Sequence, residues 1–225
     1  MRLKTNSPID KILGGGLEEN AITNVYGPAG SGKTNVAIIS VLSCIGSGKK
    51  AIYMDTEGSF SEERFHQLGG EEKELKRVMF VDVHTWDEQC REMKTLEAEA
   101  ASGDVGLVVI DSMVSLYRLE MDEKKFHDIN KQLATQYSIL SRITRKHKVP
   151  VLVTNQIYGV GEQVEVTSRT IAKYWSKTMI ELRKTERDNT RTAILRKHRS
   201  MPEGAKVEFE ITRGCLKETG KFSIL

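Results

Sequence analysis

Eight consecutive residues have the types and spacing to hold a phosphate. Gly27-Pro28-Ala29-Gly30-Ser31-Gly32-Lys33-Thr34 fits the pattern G-x-x-x-x-G-K-[ST]. Its three glycines let the backbone curl until successive N–H groups point inward at an anion, and a helix starting near Lys33 adds its positive end. Lys33 supplies a point charge to the β- and γ-phosphates, and Thr34 a hydroxyl for Mg²⁺. The chemistry is binding of ATP with Mg²⁺. A Gly-rich turn matching by chance is the alternative; the strand read before it and the helix read after it argue against that.

Such a site needs a carboxylate near the metal. The apolar run Leu107–Ile110 delivers Asp111 at its end, where open α/β sheets bind ligands. Any apolar strand can end in Asp, so this signal gains force only beside the phosphate loop. Hydrolysis also needs a group that orients or deprotonates water. Ala51–Asp55 is another strand ending in carboxylates, and Glu57 is the candidate base. The bland readings are an N-cap for the next helix (Ser61 with Arg64) and a solvated Glu57. Gln156, closing a fourth run at Thr154-Asn155-Gln156, can contact the γ-phosphate and report its presence to the following loop; a turn cap is the alternative.

The elements that must position these residues follow from periodicity. Ala21–Tyr26, Ala51–Asp55, Val78–Val83, Val105–Ile110 and Val149–Thr154 read as strands. Thr34–Gly46, Ser61–Leu68, Asp87–Ala101 and Phe126–Lys148 read as helices. In the last, Ile129, Leu133, Tyr137, Leu140 and Ile143 form one apolar stripe. Nearly all-apolar strands alternating with helices predict an α/β fold, a mostly parallel sheet with helices on both faces. From Lys177 onward, Lys177–Lys184, Thr190–Lys197 and Ala205–Arg213 alternate with turns between them, which predicts an antiparallel C-terminal extension. No linker divides the 225 residues, so one domain over 1–225 is expected. The apolar runs fall far short of the roughly 20 residues of a membrane span. No secretory signal is visible, and Cys44, Cys90 and Cys215 form no CxxC. A cytoplasmic chain without membrane partners is expected.

The charge is uneven. Residues 169–199 hold 10 basic and 3 acidic residues, while residues 1–168 hold 20 and 24, which suggests a local anionic partner. Arg196, Lys197, His198 and Arg199 follow one another at a strand end before Met201-Pro202. Four such side chains in a turn are expected to present charge to a nucleic-acid backbone, with Arg183, Lys184, Arg187 and Arg191 on the neighbouring hairpin. The alternative is a solubilising edge that blocks strand pairing. His198 alone is more often incidental, and core packing outweighs base stacking for Trp86 and Trp175.

Four segments in order resemble the ATPase core of the RecA/RadA recombinase family: Gly14-Gly15-Gly16-Leu17 with Ala21–Thr34; Tyr53–Phe60 with Glu63-Arg64; Ile110-Asp111-Ser112 with Leu116-Tyr117-Arg118; and Val153–Gln156. Leu182-Arg183-Lys184 and Pro202-Glu203-Gly204 continue the match over nearly the whole chain. The resemblance implies a RecA-type P-loop core with Glu57 as catalytic glutamate, Asp111 on the Walker B strand, Gln156 as γ-phosphate sensor and Arg118 at the first DNA-binding loop. A surface ion pair is the alternative for Arg118. The recombinases' N-terminal helix-hairpin-helix domain and linker have no counterpart here. In the second loop, Ser168 and Arg169 replace paired glycines, Tyr174 replaces a histidine, and Glu162 and Glu165 add negative charge. These departures imply a core-only paralogue: it binds DNA, single-stranded or branched, hydrolyses ATP weakly, exchanges no strands itself, and partners a RadA-type recombinase and a Holliday-junction resolvase. Weak self-association is expected. The competing reading is a KaiC-like signalling ATPase of the same fold, which switches protein contacts without binding DNA.

Overall fold

The computed structural model describes residues 1–122, 124–158, 165–166 and 169–220. Glu162 and Ser168, singled out above, lie outside the described residues, as do the side chains of Glu165 and Arg169. Two short strands, β1 (Arg2–Leu3) and β2 (Leu17–Glu18), pair antiparallel beside the main sheet. The sheet strands are β3 (Ile22–Gly27), β4 (Lys50–Asp55), β5 (Val78–Asp82), β6 (Val105–Asp111), β7 (Val151–Tyr158), β8 (Glu165–Val166), β9 (Thr178–Lys184), β10 (Thr190–Lys197), β11 (Lys206–Ile211) and β12 (Leu216–Glu218). The helices are α1 (Lys33–Gly46), α2 (Glu62–Gln67), α3 (Glu72–Leu75), α4 (Trp86–Ala100), α5 (Ser115–Leu119), α6 (Phe126–Arg142) and α7 (Arg169–Trp175).

Across the sheet the order is β5-β4-β6-β7-β3-β9-β10-β11-β12, with β8 paired to β7. From β5 to β9 every neighbouring pair is parallel; from β9 to β12 every pair is antiparallel. The strand expected to open the antiparallel run, β9, therefore belongs to both parts. It joins β3 in parallel because α7 carries the chain back to the starting edge. Helix α7 was not legible: only seven residues long, it follows a polar stretch and shows barely two turns of periodicity.

Strand alternation sorts the core onto two faces. Ile52, Met54, Val108 and Ile110 pack with α4 and α6, while Ala51, Tyr53, Leu107 and Val109 pack with α1 and the C-terminal strands. Helix α4 opens with a capping box, Thr85 accepting from Glu88 N and Glu88 reaching back to the Thr85 N–H. Helix α6 ends earlier than its pattern predicts. After Arg142 a wider turn over Ile143–His147 takes over, and Lys148 adopts φ 58° before Val149-Pro150. Among the described residues no helix is long and apolar enough to cross a membrane.

The stripe on α6 is wholly buried, with Leu133, Tyr137, Leu140 and Ile143 at 0% exposure. Leu133→Ala should cost about 2–5 kcal/mol, the range for a buried Leu truncated in a packed core. Urea unfolding would show it as a lower midpoint with unchanged slope; an unshifted midpoint would contradict this packing.

Candidate nucleotide-binding site

Parallel pairing brings the carboxyl ends of β3, β4, β6 and β7 to one edge. Gly27 lies opposite Gln156, and Asp55 opposite Asp111. The sequence-expected phosphate, metal and water-handling residues therefore arrive together, although up to 129 positions separate Gly27 from Gln156.

The loop between β3 and α1 is shaped by its surroundings. A Cβ on Gly27 would stand 2.4 Å from the Leu182 carbonyl oxygen and 2.7 Å from Ser31 Oγ, so only glycine fits. Gly32 caps α1 at φ 97°, and a Cβ there would meet Ile211 Cδ1 at 2.8 Å. The first turn of α1 has no acidic residue, which leaves its positive end free for an anion. Lys33 Nζ donates to the carbonyls of Gly27 and Pro28 at 3.1 and 3.0 Å. Burial pushes its pKa down, while the carboxylates of Glu57 and Asp111 push it up.

Asp111, 2% exposed, is the hub. Its Oδ2 accepts from Tyr53 OH at 2.7 Å, Thr34 Oγ1 at 2.8 Å and Ser59 Oγ at 2.9 Å; its Oδ1 accepts from Thr154 Oγ1. Burial, and then Asp111 itself, raise the Tyr53 pKa well above that of a free phenol, so Tyr53 stays a donor. Tyr53, Ser59 and Thr154 were missed in the sequence, where hydroxyls at strand positions look like core or turn residues. Among the described residues no cluster of three His, Cys, Asp or Glu could cage a metal. One carboxylate and one hydroxyl side by side suit Mg²⁺, which keeps waters and takes phosphate oxygens.

Glu57 sits on a turn organised by Asp55, whose Oδ1 accepts from the N–H groups of Glu57 and Ser59 at 3.1 and 3.2 Å and whose Oδ2 accepts from Phe60 N–H at 2.9 Å. Glu57 Oε1 accepts from Ser112 Oγ at 2.6 Å, and Oε2 from Gln156 Nε2 at 2.9 Å. Ser112 is itself held by Thr56, whose Oγ1 accepts from Ser112 N–H at 2.9 Å. Capping of the next helix falls to Ser61, which accepts from Arg64 N–H at 3.1 Å. Glu57 is exposed but oriented, at the rim of a cavity of about 420 Å³ that also meets Lys33, Thr34, Asp111 and Gln156. The far wall comes from the C-terminal strands: Asn189, Arg191 and Ile211. Arg191, read above as one of a basic hairpin, donates from Nη2 to the Gly30 carbonyl at 3.0 Å. It braces the phosphate loop.

The other expected contacts lie apart. Arg118 is exposed on α5, one short helix beyond Asp111. Arg196, Lys197, His198 and Arg199 were expected to present charge to a nucleic-acid backbone; the structure gives each an internal partner, while Arg196 and Arg199 stay exposed. Arg196 Nε donates to Glu181 at 2.6 Å, and Glu181 is 4% exposed. Lys197 Nζ caps the end of α7, donating to the carbonyls of Lys173 and Ser176 at 2.6 and 2.8 Å. Arg199 bridges to Glu18 at 2.9 Å. His198 Nδ1 accepts from the N–H groups of Ser200 and Met201, both at 3.1 Å, and burial lowers its pKa. The physical reason is that a buried acid at 181 and a helix end at 173–176 must be neutralised, and strand β10 passes both.

Comparison with known proteins gives a consistent match. The Rad51 family model covers residues 1–219. A DNA repair and recombination protein RadB from Methanobrevibacter smithii is 38% identical, covering 96% of this chain and 95% of its own. RadB from Methanothermobacter thermautotrophicus is 38% identical over 93% of each chain, and RadB from Methanococcus maripaludis is 37% identical over 95% of this chain and 99% of its own. A crystal structure of the RadB recombinase superposes with a TM-score of 0.83 at 33% identity, over 97% of this chain and 100% of that one.

Two outcomes follow from these contacts. Lys33→Ala should weaken ATP binding by about 2–5 kcal/mol, as for other truncated charged contacts; calorimetry showing unchanged affinity would reject the site. Arg196→Ala should lower stability by about 1–2 kcal/mol, because Glu181 then keeps only Arg183 as an ion-pair partner among the described residues. An unchanged melting temperature would show instead that Arg196 is a free surface charge.

Proposed function

Because the chain belongs to the Rad51 family, we propose that it is a DNA-binding accessory protein of recombination and repair. In this reading its RecA-type core binds ATP with Mg²⁺ and hydrolyses it weakly. The protein assists a RadA-type recombinase and regulates Holliday-junction resolution, without exchanging strands itself. The observation that carries the reading is the convergence of Lys33, Thr34, Asp111, Glu57 and Gln156 on one cavity behind a glycine-shaped loop. The RadB relatives, named as DNA repair and recombination proteins, support the biological setting.

In this reading each residue has a physical task. The loop N–H groups and the α1 terminus gather around the phosphates. Lys33 exchanges its two carbonyl acceptors for phosphate oxygens, which raises its affinity for the proton that burial weakens. Thr34 and Asp111 would hold Mg²⁺, which would supply charge neutralisation to the phosphates. Glu57 takes the proton of the attacking water. Its two hydrogen bonds, from Ser112 and Gln156, fix the carboxylate without neutralising it. A phosphate that draws the Gln156 amide away from Glu57 breaks the hydrogen bond between them, so that contact reports the phosphate's presence. Glu57 is exposed in the single chain, and water there is not screened from bulk, so turnover of the isolated protein is slow. Arg118, beyond β6 at the same sheet edge, contacts DNA; Arg196, Lys197, His198 and Arg199 contribute only with what their internal partners leave exposed.

Glu57→Gln should bind ATP with wild-type affinity and lose turnover by about 10²–10⁴-fold, the usual yield of a positioned base. Phosphate-release assays beside nucleotide titration measure both. A variant that hydrolyses as fast as wild type would remove Glu57 from the chemistry.

A further inference from the structure

The sheet edge opposite the nucleotide cavity carries a second large concavity. A groove of about 790 Å³ opens where β3 begins, where α6 runs into its wider last turn and where α7 ends. Six lysines and arginines line it and no carboxylate does: Arg142, Arg145, Lys146, Lys148, Lys177 and Arg199. Cations at helix ends are ordinary, since they complement the negative end of the dipole. That accounts for one or two here, not for six around one hollow.

Only two of the six are neutralised. Arg142 pairs with Glu97 at 2.9 Å and Arg199 with Glu18 at 2.9 Å. Arg145, Lys146, Lys148 and Lys177 make no ion pair among the described residues, and all four are exposed. Their excess charge is felt nearby. The pKa of Lys197 is lowered first by burial and then by the charges of Lys177 and Lys173. Lys148 holds φ 58° in the turn before Val149-Pro150, at the end of the wider turn that borders the groove.

Aromatic surface lies within the same charge field. Tyr174 is 70% exposed, a large ring left in water at the groove wall. It meets Trp175 edge-on, with centroids 5.4 Å apart, and Lys177 Nζ sits 5.9 Å from its centre. Trp175, half-buried, completes the lining, and Asn20, Ser138 and Thr144 add neutral polar groups. A hollow of this size exceeds one phosphate. Unpaired cations along it with an exposed ring on its wall match what a flexible strand of nucleotides offers: a run of phosphates and bases free to stack.

We propose that this groove is a binding surface for single-stranded nucleic acid. The backbone tracks past Arg145, Lys146, Lys148 and Lys177, and a base stacks on Tyr174. The inference rests on the DNA-binding reading above and deepens it. It moves the main contact from the turn at 196–199, whose side chains have internal partners, to the adjoining groove, where four of six cations make no ion pair among the described residues. Position separates the surface from the nucleotide cavity: the groove borders the starting end of β3, and Lys33 follows the other end.

The test uses the full chain, a fluorescent oligothymidylate and anisotropy titrations across a range of salt. The variants are Arg145→Ala/Lys146→Ala/Lys148→Ala and Tyr174→Ala. Each lost phosphate contact should flatten the plot of log affinity against log salt by about 0.7, so the triple variant should be shallower by about 2. Its affinity at moderate salt should fall about ten-fold or more, while ATP titration gives wild-type binding and shows the chain folded. Tyr174→Ala should lose about five-fold or more with the slope retained, as expected for a stacking contact. If the wild type binds the oligonucleotide and the triple variant matches it in affinity and slope, the groove is overturned and the DNA-binding reading stands. A wild type that does not bind overturns both. A triple variant that binds the oligonucleotide normally but loses a poly-glutamate bound by wild type overturns the nucleic-acid occupant in favour of an acidic polypeptide.

Discussion

A buried carboxylate has to be satisfied, and Asp111 meets that demand with four hydroxyls. An ionised carboxylate offers about four acceptor directions. Thr34, Tyr53, Ser59 and Thr154 fill them from α1, β4, the turn after β4 and β7. Leaving such a charge unpaired inside a protein costs several kcal/mol. The hydrogen bonds therefore tie the phosphate-loop helix, the Glu57 turn and strand β7 to one point. Glu57 and Gln156, joined to each other at 2.9 Å, form the outer layer of the same arrangement.

The C-terminal strands are part of this machinery rather than an appendage. Leu182 leaves no room for a side chain at position 27, Ile211 packs against Gly32, and Arg191 holds the Gly30 carbonyl. The loop is thus clamped from outside by β9, β10 and β11 and from beneath by β3. Arg64 extends the clamp: its Nε donates to Asn35 on α1 at 2.6 Å, and its guanidinium reaches the carbonyls of Thr212 and Arg213 at 3.0 and 2.7 Å. Nucleotide bound at the loop would press on the antiparallel extension through these contacts.

Much of the nucleotide site was legible because parallel strands deliver their carboxyl ends to one edge whatever their spacing in the chain. Asp111, Glu57 and Gln156 could be placed together from apolar runs alone. Of the donors to Asp111 only Thr34 could be placed from the sequence; Tyr53, Ser59 and Thr154 could not. Tyr53 and Thr154 lie within strands where one side chain in two faces a packed helix, and nothing local says which hydroxyl meets an acid 58 or 43 positions away. The partners of the basic turn were hidden for the same reason. Its acids, Glu181 and Glu18, are 15 and 181 positions distant, so nothing within the run of four basic residues shows them. The groove beneath the sheet draws on positions 20, 142–148 and 174–177, segments that are unremarkable one at a time.

In the proposed reading Asp111 organises a cavity built for ATP with Mg²⁺. Calorimetric titration of ATP into wild type and Asp111→Asn, each with and without Mg²⁺, tests that role. Mg²⁺ should strengthen ATP binding in the wild type, and Asp111→Asn should keep metal-free binding but lose the Mg²⁺ enhancement. An Asp111→Asn variant with the full wild-type enhancement would contradict it.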